Sequence, residues 1–186
     1  MHYHVFNGDA GGIIALLQLR LATLKESQLI TGIKRDIQLL KQVAAKSDAT
    51  SITVLDISME KNISSLEQLL SQGVDVFFYC DHHRSGDVPE SKHLEAVINL
   101  DAEVCTSLLI NDKLNGRYTN WAIAAAFGDN LFAVAEKLVT STNLTAGEIA
   151  FLKELCTLIN YNGYGNDSDD LHIAPPGALY PVVGVP

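Results

Sequence analysis

Five short apolar runs alternate with helical patterns through the first half of the chain, and this alternation constrains the fold more than any other feature. "HYHVFNG" (from His2), "QLITGI" (Gln28 to Ile33), "SITVLDIS" (Ser51 to Ser58), "VDVFFYCDHH" (Val74 to His83) and "AVINLD" (Ala96 to Asp101) read as strands. The fourth is almost continuously apolar, as in strands covered on both faces of a parallel sheet. Between the runs, "GIIALLQLRLATLK" (from Gly12), "IQLLKQVAA" (from Ile37) and "NISSLEQLLSQG" (from Asn62) carry helical spacing. In the third, Asn62 reads as the N-cap, Ile63, Leu66 and Leu70 as the buried line, and Gly73 as the stop. The first is apolar on more than one face, which predicts a helix covered on several sides. Strand and helix in alternation predict an α/β fold, a parallel β-sheet flanked by helices with right-handed crossovers.

The second half is helical. "CTSLLINDKL", "NWAIAAAFGDNLFAVAEKLV" and "TAGEIAFLKELCTLIN" all show helical spacing, and Thr145 with Glu148 forms a capping box ahead of the last. The final stretch, "HIAPPGALYPVVGVP", holds four of the five prolines and has no periodicity. Residues 1–172 therefore read as one domain of the Rossmann-like kind. Residues 173–186 read as a linker, or as the truncated start of a missing C-terminal substrate-binding domain.

With 13 basic and 22 acidic residues, the net charge of −9 argues against a protein that follows nucleic acid by bulk attraction. It leaves room for a nucleotide substrate, because bound divalent cations reverse the local sign of an acidic cleft. Three irregularly spaced cysteines, Cys80, Cys105 and Cys156, read as reduced core residues of a cytoplasmic protein. No stretch reads as a secretory signal or a membrane span.

Ligands of open α/β sheets gather beyond the carboxyl ends of the strands. Asp9 falls just past the first run, Asp56 at the end of the third, and Asp81, His82 and His83 at the end of the fourth. Asp129, in "AIAAAFGDN", is a fourth candidate position, with small residues before it that allow close helix packing. Each has an ordinary alternative: Asp9 or Asp56 as a turn residue or cap, a histidine as a hydrogen-bonding group, Gly128 and Asp129 as helix caps. The coincidence of metal-capable residues at three strand ends is harder to assign to chance. Arg84 stands beside the histidines as a candidate phosphate contact. His2 and His4 alternate onto one strand face and read as packing or edge residues, and "NYNGYG" (from Asn160) as a polar turn beside the cleft.

"NGDAGG", "VLDIS", "DHHRSGD" and "AAAFGDN", in that order, resemble the four motifs of the DHH phosphoesterase family, which includes RecJ-type exonucleases and exopolyphosphatase-related proteins. The resemblance implies a pair of divalent cations, Mn2+ or Mg2+, and a phosphorylated small molecule or short oligonucleotide as substrate. It implies that Asp9 binds one metal, that Asp56 bridges both, and that His82 and Asp129 hold the second. His83 then serves as the catalytic residue that contacts the scissile phosphate or its leaving group, and Asp81 orients the histidine loop.

One position departs from the pattern. The first motif of the family usually reads Asp-x-Asp; here it reads Asp9-Ala10-Gly11. Gly11 removes an anionic ligand of the second metal, and Asn7 offers only a neutral amide oxygen. The expectation is weak or single-site metal binding, strengthened by Gly11→Asp. Three readings stand: a metal-dependent phosphoesterase, a catalytically impaired DHH-fold module that binds metal or nucleotide, and a flavodoxin-like or response-regulator-like acidic pocket.

Overall fold

The alternation is realised as a single sheet in which every pairing is parallel. In the computed structural model, which describes residues 1–165, 167–175 and 177, strands β1 (His2–Phe6), β2 (Gln28–Ile30), β3 (Ser51–Leu55), β4 (Asp75–Asp81) and β5 (Leu94–Ile98) lie in the order β2-β1-β3-β4-β5. The chain leaves β1 in one direction to form β2 and returns across it to form β3. The order therefore reverses between β1 and β3, and loops leaving these two strands diverge to open a crevice at their carboxyl ends.

Side chains alternate across the sheet. Tyr3, Val5, Ile52, Val54, Val76 and Tyr79 pack beneath α2 (Leu40–Ala44) and α3 (Met59–Ser71). Phe6, Leu55, Phe78 and Cys80 face α1 (Ala10–Ala22), α4 (Thr106–Lys113), α5 (Thr119–Gly128) and α7 (Ala146–Asn162). A register shift between Val76 and Tyr79 resets the alternation in β4 and leaves Phe77 exposed, beneath the Lys25 ammonium. Helix α1 is the hub of the second layer. Every residue from Ala10 to Gln18 is buried, as its all-round apolarity predicts. Ile13, Ile14, Leu16 and Leu17 each contribute about 1.5–3 kcal/mol of burial there. Helix α6 (Phe132–Val139) closes a smaller cluster against α5. All three cysteines are buried and free. Among the described residues, no helix is long and apolar enough to cross a membrane.

The Thr145–Glu148 capping box is present at the start of α7. Several other local readings change. Helix α3 begins at Met59, so Asn62 lies inside it and is not its cap. Buried, Asn62 accepts from the Leu40 N–H and donates to the carbonyls of Ile37 and Ser58, pinning the start of α2. The buried line of α3 shifts with it, to Met59, Asn62, Leu66 and Leu69. The segment from Asn120 to Val139 divides into α5 and α6 at Gly128 and Asp129, as their reading as helix caps anticipates, and Asn130 turns to φ 60°. "NYNGYG" is not a free turn either: α7 runs through Asn162. His2 and His4 are buried packing residues, His2 bonded to Ser51 and Thr53 and His4 to Ser27. Most of the proline-rich end lies outside the described residues.

Candidate metal centre

The crevice at the reversal point is a cleft of about 300 Å³ lined by Asp9, Lys34, Asp56, His82, His83, Asp129 and neighbouring loop residues. Asp9 arrives at the end of β1 as the N-cap of α1, its Oδ1 accepting the Gly12 N–H at 3.2 Å. Asp56 follows β3 in a left-handed conformation, φ 61°. Such a backbone costs on the order of 1–3 kcal/mol in a non-glycine residue and persists only where its surroundings hold it. Here the Asp56 N–H donates to the Cys80 carbonyl at 3.0 Å and Thr106 Oγ1 donates to Oδ1 at 2.7 Å.

Asp129 comes from the helical layer and reaches the cleft because α5 ends hard against the start of α1. A Cβ on Gly128 would lie 2.8 Å from that of Ala10, so only glycine permits the approach. Asn160 of α7 staples the junction. Its amide donates to the Gly128 carbonyl at 2.6 Å, and its Oδ1 accepts the Ala10 N–H at 2.9 Å.

Each histidine has one ring nitrogen spoken for. His82 Nδ1–H donates to the Val104 carbonyl at 2.9 Å, which turns Nε2 towards Asp56 Oδ1, 3.4 Å away. Metal-ligating histidines are oriented in this way, by a carbonyl on the far nitrogen. His83 Nδ1–H donates to Asp81 Oδ1 at 2.7 Å; Asp81 is wholly buried and orients the ring. Ligand atoms of Asp56, His82 and His83 lie within 4.8 Å of one another.

The charges are strongly coupled. Burial, reinforced by Asp56 and Asp129 and opposed by Lys34, lifts Asp9 to about 7. Burial and Asp56 lift Asp129 to about 6. Burial also acts on Asp56, but the hydrogen bonds and charges of His82, with Thr106 and His83, overcome it and hold the carboxyl near 2. His82 in turn, despite its burial, is raised to about 9, chiefly by Asp56. Oδ2 of Asp129 is buried and has no hydrogen-bond partner. Among the described residues, the side chains whose ligand atoms come together closely enough to share a cation are Asp56, His82 and His83; Asp9 and Asp129 line the same cleft, the latter with an unsatisfied oxygen, and carboxylate with imidazole suits a hard divalent cation.

At Gly11 the geometry adds something that the motif does not contain. A Cβ there would stand 2.5 Å from Oδ2 of Asp56. A side chain at this position would therefore crowd the Asp56 carboxylate. Arg84 is exposed and outside the cleft lining; its carbonyl accepts from Ser58 Oγ at 2.8 Å and anchors the loop.

Four participants escape the motif pattern. Lys34 Nζ lies 3.1 Å from Asp9 Oδ2, Thr106 holds Asp56, the Val104 carbonyl orients His82, and Asn160 joins two helices. The strand-end rule that marks Asp9 and Asp56 also applies to Lys34, which follows β2. Asn160 sits four residues after buried Cys156, a polar side chain on an otherwise apolar stripe. Thr106 and the Val104 carbonyl leave no such mark.

No protein-family model and no curated protein matches the sequence. Solved structures do resemble the fold. A DHH-domain protein described as a member of the s1p family of ribosomal proteins superposes with a TM-score of 0.60 at 13% identity, over 86% of this chain and 46% of that one. The exonuclease RecJ bound to manganese superposes at 0.53 and 18% identity, over 87% of this chain and 48% of that one. This chain thus spans about half the length of both.

Proposed function

We propose that this chain, which carries the fold of the DHH domain, is a divalent-metal-dependent phosphoesterase acting on a phosphoester or phosphoanhydride of a nucleotide, oligonucleotide or polyphosphate. The observation that carries this reading is the meeting of Asp9, Asp56, His82, His83 and Asp129 in one cleft at the sheet's reversal point. Asp9, Asp56, His82 and Asp129 would surround manganese or magnesium. Bound there, the metal would supply an acidified water and charge to offset the phosphoryl oxygens. Asp56 stays ionised through neutral pH and so offers a ready anionic ligand. His82, once deprotonated, presents Nε2. His83, tethered by Asp81, would contact the scissile phosphate through its other nitrogen or hand a proton to the departing oxygen. Manganese in the exonuclease RecJ, which shares the fold, supports the choice of metal and a nucleotide-type substrate.

The test is manganese-stimulated release of p-nitrophenol from its phosphate mono- and diesters. We expect turnover in the unaltered chain and background rates in Asp56→Ala; metal-independent turnover that survives Asp56→Ala would refute the reading. A second reading, a DHH-fold module that binds metal or nucleotide without hydrolysis, draws on Gly11, where a ligand is missing and a side chain would crowd Asp56. It predicts manganese binding with no turnover of any phosphoester.

A further inference from the structure

The two sides of the cleft are unequal. On one, ligand atoms of Asp56, His82 and His83 converge and Asp129 carries a buried, unsatisfied Oδ2. On the other, both oxygens of Asp9 are already engaged, Oδ1 by the Gly12 N–H and Oδ2 by the Lys34 ammonium at 3.1 Å. Gly11, beside them, contributes no side chain.

Lys34 is fixed along its length. Its N–H donates to the Gly163 carbonyl at 3.0 Å, its carbonyl accepts from the Asn7 amide at 3.3 Å, and its ammonium lies 5.7 Å from the centre of the Tyr164 ring. Three carboxylates balance one divalent ion and one ammonium, because His82 is neutral when it ligates. A second divalent ion beside Lys34 would leave the cleft two charges positive, and uncompensated charge in a buried site is costly.

We propose that Lys34 is a built-in second cation: the cleft loads a single divalent ion on the side of Asp56, His82 and Asp129, and the Lys34 ammonium occupies the Asp9 side in place of another. The inference rests on the metal-centre reading above and deepens it by fixing the number of ions, with Asp9 neutralising the Lys34 ammonium instead of ligating a metal.

Manganese alone is the probe, counted by titration calorimetry at pH 8 and read by the electron paramagnetic resonance spectrum of the bound ion. The unaltered chain should bind one manganese with the spectrum of an isolated ion, and so should Lys34→Arg. Lys34→Met, folded by circular dichroism, should bind two and show a spin-coupled pair at saturation. Two ions in the unaltered chain, or a single ion in Lys34→Met, would overturn the proposal. Absence of manganese binding in every variant would instead remove the metal centre itself, a separate failure.

Discussion

Replacing Gly11 with alanine sets two effects of opposite sign against each other. Inside α1, glycine to alanine should gain about 1 kcal/mol from helix propensity. The new Cβ, however, would stand 2.5 Å from Oδ2 and 3.1 Å from Cγ of Asp56. That carboxylate cannot swing away freely: Thr106 donates to it at 2.7 Å, His82 lies at 3.4 Å, and its backbone is held at φ 61°. Displacing it forfeits a buried hydrogen bond to a charged group, about 1.5–3 kcal/mol, and adds overpacking strain of about 1–3 kcal/mol. After the helix gain is subtracted, the net loss is about 1.5–5 kcal/mol, a fall in Tm of roughly 3–20 °C for a chain of this size. Urea and thermal unfolding with chelator present measure the stability; calorimetry with manganese measures the site, where affinity should drop at least about tenfold as Asp56 loses its aim. Gly11→Asp carries the same Cβ and should also weaken binding, opposite to the expectation from the motif. A more stable Gly11→Ala protein with unchanged manganese affinity would refute the reasoning.

Manganese affinity should rise steeply with pH. Asp129 keeps its proton to about 6 and His82 to about 9, so below each of these values the metal competes with a proton. At least about a tenfold gain between pH 6 and 8 is expected by calorimetry, and a flat profile would contradict the assignment of these groups as ligands. Thr106→Val keeps the shape and removes the donor to Asp56 Oδ1; urea unfolding should show a loss of about 1.5–3 kcal/mol. Asn160→Leu strands the Ala10 N–H and the Gly128 carbonyl and should cost about 2–4 kcal/mol by the same measurement; an unchanged midpoint would mean that the junction is held by packing alone.

What the sequence discloses here is what each segment states for itself. An apolar strand announces its burial by continuity, and the polar residue that ends it announces a position at the sheet's edge; Asp9, Asp56 and the DHH triplet were legible for that reason. The residues that complete the cleft are defined by partners far along the chain. Asn160 acts on Ala10, 150 positions away, and shows locally only as a polar residue on an apolar stripe; Thr106 acts on Asp56, 50 positions away, and leaves no local trace. The break between α5 and α6 is legible in the cap reading of Gly128 and Asp129, since α5 ends at Gly128 with Asp129 as its C-cap; the close approach of Gly128 to Ala10 is not. Asn62 does not play the cap role that its position suggests. An asparagine ahead of an apolar run looks like a cap until Met59 is seen to be buried, which extends the helix upstream.

The placement of the acids has a topological cause that also explains their chemistry. Because β2 and β3 lie on opposite sides of β1, the segments after β1 and β3 part company and leave an edge that no crossover helix covers. Asp9 and Asp56 sit on the two lips of that gap, and each carboxylate raises the cost of charging the other. The metal-free protein relieves the repulsion in three ways: protons held on Asp9 and Asp129 up to about 7 and 6, the Lys34 ammonium, and a His82 imidazolium. A divalent ion would take over the charge carried by those protons and leave Lys34 in place. The same imbalance that makes the cleft hard to build without cations is what would give it affinity for one.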